Sequence, residues 1–335
     1  MIQVCAPGKL FLIGEYAVLD GAPALLSAVD RRVHARIETS VDHHWHFHAP
    51  DIGVAGVQLN GDGTLPDAVA TDSRARLRLY ECVLAQVRNH IGELPEPLSI
   101  HIDSSAFSRD GHKLGLGSSA AVASCLTAVL AQAAGPTLAP DALCRHAIAA
   151  HRRAQNGSGS RADVATSIYG GVIEFRADQV LAQPAWPAGI EGMAVVTGDG
   201  ASTPQLVAKV RAYAARNPRQ YAADINALVR LAEQAHDALA DADMFLDLMR
   251  AYFAALQTLD RHAKAGIVLS QHEQLAALAA HHGGVFKTTG AGGGDLGLAF
   301  ARSGPDSRRL ATALRQAGAH IVPLQFAAPG LNTGY

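Results

Sequence analysis

The chain has 335 residues, nearly half of them apolar, and a formal net charge of -2 at pH 7; this is enough for a sizeable core in two domains or one large one. That balance, without a long basic run, gives no electrostatic case for a nucleic-acid partner. The longest apolar stretch, residues 120–134, is interrupted by Ser124, Cys125, Thr127 and Gln132 and is too short and too polar to span a membrane.

The four cysteines, Cys5, Cys82, Cys125 and Cys144, are scattered and form no C-x-x-C pair, so neither a disulfide framework nor a zinc site is indicated. The chain moves from Met1 straight into a strand-like segment, without the leader of a signal peptide. Both features fit a reducing cytoplasm.

In chain order, residues 3–6 and 10–13 read as strands flanking a turn at Pro7-Gly8-Lys9, and residues 32–38 alternate as a half-buried strand does. His44, His46 and His48 also alternate, so in a strand they share one face. No carboxylate or cysteine joins them in sequence, and a sheet face carrying histidines is preferred to a metal site. Residues 73–90 read as a helix and 98–102 as a strand. A helix follows the run Gly115-Leu116-Gly117-Ser118-Ser119-Ala120-Ala121 and stops near Gly135-Pro136. Another spans about 140–155, then the loop 156–160, a short helix at 163–169 and a strand at 171–175. Residues 177–191, with Pro184, Pro187 and Gly189, have the composition of a connector, which divides the chain into domains at 1–185 and 186–335.

Beyond it, 193–197 reads as a strand and about 204–216, 219–240 and 243–265 as helices. Ser270 and Glu273 predict a capping box. A strand, the glycine-rich loop 289–295, a strand at 296–301, a helix and a last strand at 319–326 complete the chain. Strands and helices mix without strict alternation, which favours α+β over a doubly wound parallel sheet.

Three segments carry chemistry. In Ala6-Pro7-Gly8-Lys9, followed by Gly14-Glu15-Tyr16-Ala17-Val18-Leu19, Lys9 is either a solvated turn residue or a cation aimed at a transferring phosphoryl group. In the run from Gly115, two glycines allow close backbone approach. Two serines sit where a helix begins, and their hydroxyls can cap free N–H groups or face a metal ion. A helix start with unpaired amides is an anion site. The run is not a Walker A sequence, and the G-x-G-x-x-G match from Gly292 precedes a strand rather than the helix a dinucleotide site requires. Four glycines in residues 290–294 exceed the needs of a turn, which predicts a close approach to a ligand or to the second segment. Asp163 can cap its own helix, with Ser160 three residues before it, or hold a reacting group.

The three segments in this order, across nearly the whole chain, resemble the GHMP kinase family. Within it, Gly14-Glu15-Tyr16, the loop Ala154-Gln155-Asn156-Gly157-Ser158-Gly159-Ser160 before Asp163, and Asp295 after the glycines look more like the phosphomevalonate kinase branch than the mevalonate kinase branch. The resemblance implies a two-domain α+β fold, ribosomal protein S5 domain 2-like at the N-terminus and ferredoxin-like at the C-terminus, with the site in the cleft between.

It implies that Gly115, Leu116, Gly117, Ser118, Ser119 and Ala120, with Lys113, hold ATP, and that Ser119, or Ser118 in its place, reaches Mg2+. Lys9 and Asp163 would be catalytic. Glu15, Tyr16, Arg161, Gly290, Ala291 and Gly292 would face a small-molecule acceptor, phosphorylated or a plain alcohol. Lys9, Arg109, Lys113, Arg161 and Lys287 form a set of cations that suits a phosphorylated acceptor. Mevalonate kinase carries a glutamate as second metal ligand on the helix before the Asp163 loop. Here that stretch is Ala150-His151-Arg152-Arg153, without a carboxylate.

The expected activity is ATP-dependent phosphorylation of 5-phosphomevalonate to 5-diphosphomevalonate, with mevalonate kinase or another GHMP small-molecule kinase as the alternative. A non-catalytic ATP sensor on this fold would be marked by loss of Lys9, Asp163 or the serines, and all are present. The partner is a small molecule, with no nucleic acid and no membrane; a homodimer is one option for the assembly.

Overall fold

A computed structural model describes residues 1–94, 97–109, 111–157, 160–177, 179–198, 200 and 202–334. Ser158 and Gly159 of the loop before Asp163 therefore lie outside the described residues.

The first strand, Ile2–Ile13, runs unbroken and antiparallel to Ala24–Thr39, with Val4 opposite Ala35 and Lys9 opposite Ala28. The turn expected at Pro7-Gly8-Lys9 does not form. The register shifts between Pro7 and Gly8 instead. A proline has no N–H to give the ladder, and a bulge accommodates it. Gly8 is needed there because a Cβ would lie 2.9 Å from the Phe107 ring and 3.0 Å from the Leu116 carbonyl. Lys9 N–H bonds that same carbonyl at 2.9 Å.

The sheet runs in the order Asn332–Thr333, Ile2–Ile13, Ala24–Thr39, Leu98–Asp103, His46–Ala49, Val54–Gln58, with Val172–Arg176 and Gln179–Ala182 added beside Ala24–Thr39. Four helices, Thr71–His90, Ser118–Ala133, Pro140–Ala154 and Arg161–Tyr169, pack with it. Ser118–Ala133 is the central one. Its small residues, among them Ala120, Ala121 and Cys125, are fully buried and let strands and helices close on it from several sides. Buried hydroxyls on this helix are satisfied by carbonyls one turn back, Ser124 on Ala120 and Thr127 on Ala123.

The second sheet has the order Val285–Thr288, Asp295–Arg302, Ile190–Gly198, His320–Val322, antiparallel throughout. In chain order this is strand, helices, two strands, helix, strand, the ferredoxin-like pattern. Both faces are covered. Met193 and Val195 pack with Leu275, Ala279, Leu310 and Leu314, while Ala194, Leu296 and Leu298 join the main core with Phe245, Tyr252 and Leu256.

Several elements differ from expectation. Part of the expected connector is the strand Gln179–Ala182, paired to Val172–Arg176. The helix expected over 219–240 is Pro218–Glu233 followed by the separate turn Ala235–Ala238. No Ser270–Glu273 capping box forms. Leu269 precedes the helix, and its N–H donates to Nδ1 of His272 at 3.0 Å. His46 and His48 lie on one strand and His44 precedes it; contrary to the sequence pattern, a carboxylate does join them, Asp42 at 2.9 Å from His46, while His48 stacks on His101.

The strand expected over 319–326 is His320–Val322, and the chain then rejoins the first sheet. Phe326 bridges Val29, Pro329 bridges Gly170, and Thr333 pairs with Val4. This return depends on Gly170, whose φ is 70° and whose missing Cβ would overlap the Gly330 backbone. Gly170→Ala is expected to cost about 2 kcal/mol or more from the left-handed backbone alone; a lowered urea midpoint at unchanged m-value is the measurement.

Candidate active site

The first strand, the Ser118–Ala133 helix start and the Arg161–Tyr169 helix start converge at one place. Lys9 Nζ is 3.3 Å from Asp163 Oδ2, and both side chains are mostly buried. The lysine is not the solvated turn residue its local sequence allows. The bulge and strand direct it along the Gly117 backbone, where a Cβ would meet Lys9 Cε at 2.7 Å, and its ammonium lies 5.4 Å from the Phe11 ring centroid. Asp163 has both of its expected local contacts, since Ser160 Oγ donates to Oδ1 at 2.8 Å and accepts from the Asp163 N–H at 3.3 Å. Ser160 holds the N-cap and Asp163 sits in the first turn, so this contact and the pairing with Lys9 coexist.

The glycine-serine run folds as a loop ending in a left-handed Gly117, φ 77°, which is the N-cap. Ser118 and Ser119 are the first two helical residues, and no side chain caps the helix. The serines thus do not cap their own helix, because glycine holds the cap position. First-turn amides without a side-chain cap are free for an anion. Two members of the expected ATP set are otherwise engaged. Ala120 N–H bonds Gly117 O at 3.0 Å, and Leu116 turns its side chain into the core and gives its carbonyl to Lys9. Lys113 is exposed, on the small hairpin before the loop.

Ser119 has partners that its local sequence did not reveal. Its Oγ is 3.1 Å from His151 Nε2 and 3.2 Å from Gln155 Nε2. His151 and Gln155 are four residues apart at the end of the Pro140–Ala154 helix, a spacing that puts them on one face. Burial pushes the His151 pKa down, and the Asp163 charge opposes that shift.

The glycine loop of the second sheet closes the other side. Gly115 faces Asp295, whose Oδ2 would be 3.0 Å from a Cβ at that glycine. Asp295 adopts a left-handed φ of 54°. Burial raises its pKa, and Lys9 works in the opposite direction. Gly290 and Gly292 have φ of 67° and 76°. A Cβ on Gly292 would run into Ile267 O, which accepts the Gly293 N–H at 2.9 Å. The close approach between second and third segments is therefore present. Arg161 opens the helix that carries Asp163.

Three residues expected to face an acceptor or its charge are buried instead. Glu15 and Lys287 form an ion pair at 2.5 Å with side chains 1% and 0% exposed. Neither reaches solvent, and each neutralises the other. Burial raises the Glu15 pKa and lowers that of Lys287, and the partner's charge opposes both shifts. Tyr16 is buried, and its hydroxyl donates to Ala291 O at 2.6 Å, so it ties the glycine loop in place. Tyr252, also missed, donates to Glu15 O at 2.8 Å.

A family model, GHMP kinases N terminal domain, matches residues 78–171, the stretch that holds the glycine-serine loop and Asp163. A phosphomevalonate kinase of Streptomyces sp. (strain CL190) is 30% identical over 371 aligned residues, covering 97% of each chain. This chain belongs to the GHMP kinase family. A mevalonate kinase of Thermococcus sibiricus is 28% identical, covering 99% of this chain and 98% of that one. Among solved structures, a Listeria innocua protein superposes with a TM-score of 0.86 at 24% identity, covering 99% of both chains. Streptococcus pneumoniae phosphomevalonate kinase in complex with phosphomevalonate and AMPPNP gives 0.76 at 19%, covering 97% and 100%. The GHMP fold is thereby established, and as a GHMP kinase the chain is a phosphotransferase that uses ATP.

The donor set bears on Mg2+. Among the described residues no three His, Cys, Asp or Glu side chains group to hold an ion. What the loop offers is the Ser119 hydroxyl. This fits an ion that arrives on a nucleotide with phosphate and water as most of its ligands. Among the described residues no helix is long and apolar enough to cross a membrane.

Lys287→Met leaves the Glu15 carboxylate buried without its counter-charge and is expected to cost about 3–5 kcal/mol. Glu15→Gln combined with Lys287→Met is expected to recover most of it. Urea unfolding of the single and double variants measures both.

Proposed function

We propose that this kinase transfers the γ-phosphoryl group of ATP to 5-phosphomevalonate, forming 5-diphosphomevalonate. The observation that carries the reading is the Lys9–Asp163 pair at 3.3 Å beside the uncapped helix start. An alcohol acceptor must lose a proton, and an uncommitted carboxylate would be the base for it. Here the carboxylate is committed to a lysine. A phosphomonoester has a second pKa of about 6 and is mostly dianionic at neutral pH, so it needs a nearby cation more than a base. The 30% identity to a protein named phosphomevalonate kinase supports the same acceptor.

In this reading the amides from Gly115 to Ser119 cradle the triphosphate, with the helix start adding positive potential. Lys9 Nζ stabilises charge on the phosphoryl group in transfer, and Asp163 fixes the lysine's position. Magnesium, held at Ser119, would neutralise phosphate charge. The loop 290–294 and Arg161 border the acceptor. Residues 1–185 supply one wall of the cleft, and within 186–335 the second sheet and its helices supply the other, while the chain end after Val322 returns to the first. A second reading, mevalonate as acceptor, is favoured by the 28% identical relative of that name, and it requires Asp163 to release Lys9 and take the alcohol proton.

Pure protein with Mg-ATP and a panel of acceptors, followed by 31P NMR, separates the two. Diphosphomevalonate is the expected product; phosphorylation of mevalonate but not of its phosphate would remove this choice. Lys9→Met is expected to lower kcat about 10²- to 10³-fold. Asp163→Ala is expected to lower it by about 10²-fold through misplacement of the lysine. Unchanged turnover in a correctly folded Asp163→Ala protein would take Asp163 out of the mechanism.

A further inference from the structure

The Ser119 hydroxyl has one proton and two lone pairs to distribute. His151 Nε2 lies 3.1 Å from Oγ, and Gln155 Nε2 lies 3.2 Å from Oγ and 3.0 Å from His151 Nε2. The Gln155 amide nitrogen can only donate, so the imidazole nitrogen that receives it is the unprotonated one and the ring proton resides on Nδ1. The single lone pair of a bare Nε2 is then shared between the Gln155 N–H and the Ser119 O–H. Of the two Oγ lone pairs, Gln155 takes one and the other is left for the cleft.

The opposite edge of the ring is informative too. His151 is 2% exposed, and its Nδ1 has no partner within hydrogen-bond geometry, although the Ser160 backbone stands close enough to the ring to work with Asp163 against the fall in its pKa. An unmet buried N–H is a cost that folded proteins rarely carry without compensation. Here the compensation is the orientation of Ser119. With the other tautomer, an Nε2–H would point at Oγ and at the Gln155 amide together, occupying the free lone pair and facing another donor.

We propose that His151 is a positioning residue for the nucleotide-borne cation: by accepting a hydrogen bond from the Ser119 hydroxyl at Nε2, it turns an oxygen lone pair toward the triphosphate loop. The inference rests on the reading of Gly115–Ser119 as that loop. It also gives a task to a helix segment, Ala150-His151-Arg152-Arg153, that carries no carboxylate of its own.

Two measurements test it. Long-range 1H–15N NMR of the free protein, with the His151 signals assigned by their loss in His151→Gln, is expected to show a protonated Nδ1 and a bare Nε2; an Nε2–H tautomer overturns the proposal without any variant having to fold. Second, Mn2+ binding to the protein–AMPPNP complex is followed by electron paramagnetic resonance. His151→Asn, which places no acceptor at the Nε2 position, is expected to weaken Mn2+ about 10- to 100-fold. His151→Gln, whose side-chain oxygen can reach that position, is expected to stay within about threefold of the parent protein, since it preserves the outer-shell hydrogen bond. The KM for 5-phosphomevalonate is expected to stay unchanged in both. Equal losses in the two variants, or parallel weakening of acceptor and metal, overturn the assignment. Parent protein that binds no Mn-AMPPNP defeats the function proposed above and the His151 role with it, whereas normal binding insensitive to His151→Asn defeats the His151 role alone.

Discussion

The Glu15–Lys287 ion pair is the constraint on which the geometry of the cleft depends. Its partners come from opposite halves, Glu15 from the segment after the first strand and Lys287 from the second sheet. Burying either charge alone is prohibitive, so each must stay where the other is. An apolar contact tolerates sliding, but a buried pair at 2.5 Å has one register. Around it, Tyr252 holds the Glu15 carbonyl, Thr289 Oγ1 donates to Phe11 O at 2.8 Å, and Tyr16 holds Ala291. The consequence is local to function. The strand that delivers Lys9 and the loop that delivers Asp295 are fixed relative to each other by a fully buried ion pair and by hydrogen bonds that are buried or half-buried.

That fixing explains how a small set of charges serves a phosphate reaction. Lys9 lies between the Gly117 backbone and Asp163, and it is close enough to Asp295 to oppose the effect of burial on that carboxyl. A mobile lysine would spend its charge on solvent; this one is held by packing on its stem and by a carboxylate at its tip. The amides of the glycine-serine loop are fixed dipoles. Electrostatic help of this kind needs no reorganisation when charge moves.

The sequence was most legible where structure is local. The glycine-serine run, the helix behind it and its stop at Gly135 follow from residue types a few positions apart, as do the Ser160–Asp163 contact and both sheets' main strands. Long-range facts were not legible. Pro7-Gly8-Lys9 has turn composition, yet the neighbouring strand and Phe107 make it a bulge. Glu15 and Lys287 are 272 residues apart, and nothing near either one indicates that they neutralise each other. Both looked available to a substrate because charge usually means exposure. The stretch 150–153 stands out by its missing carboxylate, yet the signal it carries is His151 at four-residue spacing from Gln155. Leu269 displaced the expected Ser270 cap because a buried histidine, His272, meets the backbone there.

The return of the chain end to the first sheet means that the polypeptide passes between the halves twice, once around Trp186 and once around Phe326. These two rings pack at a tilt with centroids 4.9 Å apart, so both passages are clasped at one point. The chain end is thereby part of the first sheet's frame: a polypeptide cut short before Phe326 would lose this clasp together with the pairings at Val29, Gly170 and Val4.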